Sequence, residues 1–312
     1  MIGTNNMKAL SVSAALLLAT ASTTEGFQLG IQQHQSLGLI AAKDHSLNVQ
    51  SQPSWSSPQI RESTILSAAS TASEGEDRVL DVEAIGKYAG AIVLQMSLIT
   101  GLFTGIDALV GATGIQIPFA ANFFLFYVFA LKSRLFNPMS NQRPQKETRE
   151  IESAEQRKMP EWTPPGVVFP IVWILLIGPL RAASSALLVT GGAASYASPA
   201  ILALMLHLSI GDTWNTINNV ERRYGTSVVG VACVWISAAF AASQYSQVDP
   251  LAGKLLSLPL IWLTIASSLI VRTWQLNPSV VTGEKESILP TKPATQEGSI
   301  TKLVWFEGSE EE

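Results

Sequence analysis

Residues 160–173 read Pro160-Glu161-Trp162-Thr163-Pro164-Pro165-Gly166-Val167-Val168-Phe169-Pro170-Ile171-Val172-Trp173, and the run continues to Thr190 with Arg181 as its only charge after Glu161. About 20 apolar residues are enough for a helix to cross a bilayer. Two adjacent prolines lose hydrogen bonds inside a helix but fit its first turn. Trp162, just before them, has the amphipathic ring that belongs at the level of lipid headgroups. Phe169 and Trp173 are four residues apart and share one helix face. The stretch therefore predicts a membrane helix that starts at a proline-stiffened, tryptophan-marked interface.

Further apolar runs lie on both sides. Residues 88–111 are apolar or small except for Gln95 and Asp107, and residues 198–217, 226–243 and 251–276 form three more runs. Residues 119–136 make a shorter one, interrupted by Lys132 and Arg134, that reads as a short span or an interfacial helix. Charged residues are 14% of the 312, against about 25% in a typical soluble domain. The predicted fold class is all-α: a polytopic membrane helix bundle over residues 86–277, with five helices, or six if 119–136 crosses. Loop charge agrees. Residues 132–158 hold seven basic side chains and residues 221–223 read Glu-Arg-Arg, whereas 191–197 and 244–254 hold only Asp249 and Lys254. With spans at 166, 198, 226 and 251, both basic loops and the C-terminus share one side, as the positive-inside rule requires.

The two ends are of a different character. Lys8 precedes a short apolar run, Ala9 to Ala19, and then small residues, which predicts a signal peptide over 1–26. Residues 27–75 are Ser-rich and acid-poor, with Asp44 and Glu62 the only acids as far as residue 73, which is the composition of a transit peptide. A signal peptide, then Phe27, then such a stretch resembles the bipartite plastid leader of algae with secondary plastids. A plain secretory signal with a linker, leading to the endoplasmic reticulum or another secretory membrane, is the alternative. Residues 278–312, ending in Glu310-Glu311-Glu312, predict an acidic disordered tail.

Composition excludes several classes. The net charge is −4, with no basic excess to hold nucleic acid. One cysteine, Cys233, allows neither an internal disulfide nor a thiolate zinc site, and the three histidines (His34, His45, His207) are too few and too scattered for a metal cluster. No metal site is expected. The body has no Ser/His/Asp arrangement, no phosphate loop and no paired carboxylates at helical spacing, so no catalytic residue is assigned.

The pattern Trp162-x-Pro164-Pro165 with Phe169 and Trp173 resembles the TspO/MBR family, the tryptophan-rich sensory and translocator proteins. The likeness continues through Trp214, Trp235 and Pro259-Leu260-Ile261-Trp262, then Leu269 and Leu276-Asn277. Several polar positions of the family pattern differ: Gly211 stands where Asn precedes Trp214, Asn218 and Asn219 replace two Phe, Ile177 replaces a Tyr, and Pro259 is three residues before Trp262 instead of four. The resemblance implies a five-helix bundle with its first helix within 88–136; this chain has one further apolar segment there, an extra N-terminal helix to which the resemblance gives no role. It implies a homodimer and binding of flat hydrophobic ligands, porphyrin-type tetrapyrroles or sterols, in a groove that includes Trp162, Pro164, Pro165, Phe169, Trp173, Trp214, Trp235 and Trp262. No obligatory cofactor follows; a bound tetrapyrrole does. Tryptophan suits such ligands because it offers stacking area at low entropic cost.

Other features complete the reading. His207, in mid-span, is a candidate axial ligand for a tetrapyrrole metal, or a hydrogen-bonded structural residue. Asp107, Arg181, Asp212 and Arg272 are charges within or near spans, where charge is costly and is usually paired or faces a cavity. Depth along the helices suggests the pairs Asp107–Arg181 and Asp212–Arg272. Gly86/Gly90 and Gly101/Gly105 have the spacing of close helix packing in lipid. Competing functions are an assembly factor for plastid membrane complexes and a secondary transporter that uses the buried charges.

Overall fold

The computed structural model describes residues 77–142, 157–278 and 283–306, all within one compact unit, Ser67–Glu312. The signal and transit segments lie outside the described residues. The elements are β1 (Arg78–Leu80), α1 (Val82–Thr113), α2 (Phe119–Lys132, extended by a 3-10 turn Ser133–Phe136), α3 (Val168–Thr190), α4 (Pro199–Asn219), α5 (Tyr224–Val248), α6 (Pro250–Ser257), α7 (Pro259–Leu276) and β2 (Thr291–Pro293). Five segments are long and apolar enough to cross a membrane: α1, α2 with its 3-10 turn, α3, α5, and α6 with α7. The fold is an all-α membrane bundle.

Local chemistry sets the helix ends. Asp81 caps α1 by accepting from Ala84 N at 3.0 Å, and Gly114 ends it at φ +64°, a left-handed conformation that glycine adopts without strain. Asp249 caps α6 through Leu251 N and Ala252 N, and Pro250 occupies the first turn.

Lipid and protein divide the surfaces. Val93, Leu109, Leu175, Ile236 and Ile261 are exposed on the outside of the bundle, where hydrocarbon replaces water as solvent. α4 is more polar than the other long helices, carrying His207, Asp212 and Asn215, and 12 of its 21 residues are buried against protein. It packs along α5 and against α1, while α2 packs along α3. The core contains Ile99, Phe103, Phe126, Phe129, Leu188, Ile201, Leu204, Met205 and Tyr245. Phe103 meets Phe126 and Phe129 edge-on at 5.9 and 4.9 Å, which anchors α2 in the bundle as a full member.

Hydrogen bonds bring the basic loops to one end, as the loop charges predict. Arg134 donates to Asp212 O (2.6 Å) and Thr216 Oγ1 (2.6 Å), and Arg157 to Asn218 Oδ1 (3.3 Å). Asn277 clamps Lys158 from both sides, accepting from its N and donating to its O, each at 2.8 Å. The Tyr88 hydroxyl donates to Glu221, so the start of α1 lies at that end too.

Two expectations change. Gly86, Gly90, Gly101 and Gly105 are exposed, with nothing within 4 Å of where a Cβ would stand, so they do not pack inside the bundle. The body over 86–277 is helical as expected, and outside it β1 and β2 pair antiparallel, Val79 opposite Lys292. Residues 283–306, within the segment read as a disordered tail, also hold fixed contacts. Ser299 Oγ donates to Asp81 at 2.7 Å, Lys87 Nζ to Thr301 O at 2.8 Å, and Gly225 N to Glu286 Oε2 at 3.0 Å. The polar side chains of this segment find their partners on the bundle, which composition alone does not reveal.

Candidate ligand-binding site

The site begins with an irregular helix. α3 is α-helical over Val168–Val172, a π-helix over Trp173–Ile177, and α-helical again over Gly178–Thr190. In the π register Gly178 N bonds to Trp173 O, so the next N–H would bond to Ile174 O. The next residue is Pro179, which has no N–H. Tyr127 on α2 supplies the missing donor, its hydroxyl bonding to Ile174 O at 2.9 Å. Gly178 permits that approach, since a Cβ there would lie 2.9 Å from Tyr127 Cε2.

The wide turn also sets side-chain phase. One inserted residue makes the eight-residue step from Trp173 to Arg181 act like a step of seven, close to two full turns. Both side chains then share a face, and the Arg181 guanidinium sits 5.2 Å from the centre of the Trp173 ring. Arg181 Nη2 meets His207 Nε2 at 2.5 Å, and His207 Nδ1 lies 3.1 Å from both Val234 O and Ser237 Oγ. Arginine can only donate, so His207 Nε2 accepts and the imidazole proton sits on Nδ1. Both ring nitrogens are committed. Axial ligation by His207 would require breaking the bond to Arg181.

The tryptophans divide into groups. Trp173 and Trp214 pack on one cluster with Val234, Ala238 and Leu263. Trp214 donates to Ser227 O at 3.1 Å and lies over Gly230, where a Cβ would come within 2.8 Å of its ring. Trp262 meets Phe169 edge-on at 5.8 Å, and its indole N–H is buried with no acceptor among the described residues. α3 and α7 make few close backbone approaches, and Phe169, Trp173, Leu260 and Trp262 occupy the seam between them, all partly exposed.

Trp235 and Trp162 stand apart from this group. Trp235 is 37% exposed and donates to Thr264 Oγ1 at 3.0 Å on the outer side of α5 and α7. Trp162 is 50% exposed in a turn held by Thr163, whose Oγ1 donates to Pro160 O at 2.6 Å. Pro164 and Pro165 lead from that turn into α3, with Val168 N bonded to Pro165 O at 2.9 Å.

The suggested ion pairs do not form. Asp107 accepts from the backbone N–H groups of Tyr196 and Ala197, both at 2.8 Å, at the end opposite the basic loops. α1 begins at Val82 on the basic side and is about 48 Å long, which carries Asp107 beyond Arg181. Asp212 accepts from Gln95 Nε2 (2.8 Å) and Ser133 Oγ (2.7 Å). Arg272 is exposed rather than buried and donates to Gln275.

Sequence reasoning missed Tyr127, Gln95, Ser133 and Asn137. Asn137 donates to Gln95 Oε1 at 2.8 Å and completes the network around Asp212. The signal for Tyr127 was present in Gly178-Pro179, a proline inside a span that leaves a carbonyl open. Among the described residues no group of three or more His, Cys, Asp or Glu could hold a metal ion.

Comparison with known proteins matches residues 124–275 to the model of the TspO/MBR family. The matched stretch runs from within α2 to α7, so α1 and the C-terminal segment lie outside it. The chain is 29% identical over 131 residues to Protein CrtK of Rhodobacter capsulatus, covering 41% of this chain and 78% of that protein. It is 26% identical over 119 residues to the tryptophan-rich protein TspO of Chlorobaculum tepidum, covering 38% of this chain and 75% of that protein.

Proposed function

We propose, from the match of residues 124–275 to the TspO/MBR family and from the two relatives, that the chain is a TspO/MBR protein that binds flat, hydrophobic ligands of the tetrapyrrole class within the membrane, for transport, scavenging or sensing. The observation that carries this reading is the seam between α3 and α7, where Phe169, Trp173 and Trp262 are partly exposed and the backbones stand apart. A planar macrocycle gains most from large rigid aromatic faces, and the N–H of Trp262, unpaired among the described residues, offers it a donor. Trp162, exposed in the turn before α3, stands at the interface where such a ligand would arrive. Trp214 supports the cluster from behind. Trp235 contributes least, because its N–H is already bound to Thr264.

The test is quenching of tryptophan fluorescence by protoporphyrin IX in detergent. Trp173→Ala should weaken binding about tenfold, the loss of one stacking face. Trp235→Ala should leave affinity within about twofold. No saturable quenching of the unmodified protein would reject the reading.

Two further parts belong to the proposal. The protein forms a homodimer through α1, whose exposed Gly86, Gly90, Gly101 and Gly105 fall within an arc of about 100° and would let a second copy approach closely. Gly101→Leu with Gly105→Leu would then yield monomers by light scattering. Residues 1–75 act as a leader that brings the protein to a plastid membrane, a reading supported by their composition. A native N-terminus at Met1 would refute it.

A further inference from the structure

Arg181 carries a charge that the aromatic seam alone does not require. It is 5% exposed, within a span, and no carboxylate lies within 4.0 Å of it among the described residues. Its partners are a neutral imidazole, at 2.5 Å, and the Trp173 ring, at 5.2 Å. His207 cannot offset the charge, because its one N–H points to Val234 O and Ser237 Oγ. Asp212, five residues further along α4, directs a carboxylate oxygen to Gln95 and Ser133. Among the described residues the bundle thus holds a cation inside the membrane with no carboxylate in contact with it, Asp212 attracting it only from a longer distance, an arrangement typical of functional sites.

Three independent features converge on it. The π turn of α3 aims its side chain. The helix break at Leu258, between α6 and α7, lies across from it, with Pro259 on the wall they share. Between them is a cavity of about 10 Å³ bounded by Arg181, His207, Ala238, Leu256 and Pro259, room for one water-sized atom. Irregular backbone at membrane depth is tolerated where it lines such a space. Ala238 borders both this cavity and the cluster that carries Trp173 and Trp214, so the cation adjoins the seam.

We propose that Arg181, held on Trp173 and His207, is an anion-binding subsite that takes one oxygen of a carboxylate carried by the ligand, while the flat body of the ligand lies on the aromatic seam. The inference rests on the proposed function and narrows it to flat hydrophobic molecules with an acidic arm, in preference to their esters and to sterols. The small cavity fits one oxygen and excludes the macrocycle. Guanidinium suits the role because it stays charged when buried and directs planar donors at a carboxylate.

The probes are protoporphyrin IX and its dimethyl ester, which share one flat body but differ in charge. Titrated against the full chain in detergent, the diacid should bind about tenfold or more tightly than the ester, the ratio expected of one charge-assisted hydrogen bond. Arg181→Met should remove the preference, so that the diacid and the ester bind that variant equally, and Arg181→Lys should keep part of the preference. Equal binding of the two probes by the unmodified protein would overturn the subsite and leave the ligand class standing, and so would a preference that survives Arg181→Met. The comparison on the unmodified protein needs no variant to fold. If neither probe saturates, the proposed function fails, and this subsite fails with it.

Discussion

The Tyr127 hydroxyl donates to the Ile174 carbonyl at 2.9 Å because Pro179, the residue that would bond there in the π register, has no N–H to give. A side chain of α2 thereby completes the backbone of α3, and the wide turn it stabilises places Trp173 and Arg181 on one face. Tyr127→Phe should cost about 1–2 kcal/mol, the penalty of an unsatisfied buried carbonyl. Gly178→Ala should cost more, because its Cβ would meet Tyr127 at 2.9 Å and Trp173 O at 3.1 Å. Gly211→Ala, with open space around it, should be neutral or stabilising. Thermal unfolding in detergent orders the three; equal effects of Gly178→Ala and Gly211→Ala would contradict the role given to the turn.

Arg181 and His207 should show strong coupling. His207→Leu removes the only hydrogen-bond acceptor paired with the guanidinium among the described residues and should cost about 3 kcal/mol, the order for a buried charge left without its partner. Arg181→Met replaces the charge with an apolar chain and should cost much less. The double variant should resemble Arg181→Met alone. Chemical unfolding of the four proteins gives the cycle, and additive costs would mean the bond carries no weight.

The C-terminal segment depends on one glycine. A Cβ on Gly225 would stand 2.1 Å from Ser287 O, a backbone atom that cannot turn aside. Gly225→Ala should displace residues 283–306 and expose them to protease while the spans remain folded. Limited proteolysis followed by mass measurement reads this directly; an unchanged cleavage pattern would show that the segment is held by other contacts.

The same segment should respond to pH in two phases. Burial raises the pKa of both Glu221 and Glu286 above the ordinary 4.5. Their docked forms therefore favour the proton, so this contribution is fully present below 4.5 and is lost as pH rises through the raised values. Burial opposes ionisation of Asp81 too, but hydrogen bonds from Arg223, Ala84 and Ser299 outweigh it and hold its pKa below 3.8. That contribution is present above 3.8 and is lost as pH falls through the lowered value. Protection of residues 283–306 from hydrogen exchange should rise as pH falls from neutral toward 4.5, then decline below 3.8. A decline that starts at neutral pH would reverse the assignment.

The helices were legible because lipid imposes a simple rule: long runs of apolar residues bounded by charge and proline. Even so, α4 fits the rule least well. Its His207, Asp212 and Asn215 are compatible with a central position because protein surrounds much of it. Phe169 and Trp173 were readable as one face from their spacing, and Asn277 as a helix end from the family likeness. The partners of the charges were not readable. Depth along a helix cannot show that Asp107 meets two loop N–H groups, or that Gln95 and Ser133, far apart in sequence, converge on Asp212. The β1–β2 pairing joins three-residue strands about 210 residues apart, and no local signal marks either one.

That pairing bears on the order in which the protein is completed. The start of α1 is secured by residues 290–301, which leave the ribosome after every one of the described spans: Asp81 N bonds to Pro290 O at 2.8 Å, and Ser299 reaches the Asp81 side chain. α1 is synthesised and can enter the bilayer before any other span in the described chain, yet its final anchorage waits until all of the described spans have been made. Until then its outer end is held only by lipid and by helices still arriving, which gives membrane insertion machinery or a second copy a defined interval in which to engage it.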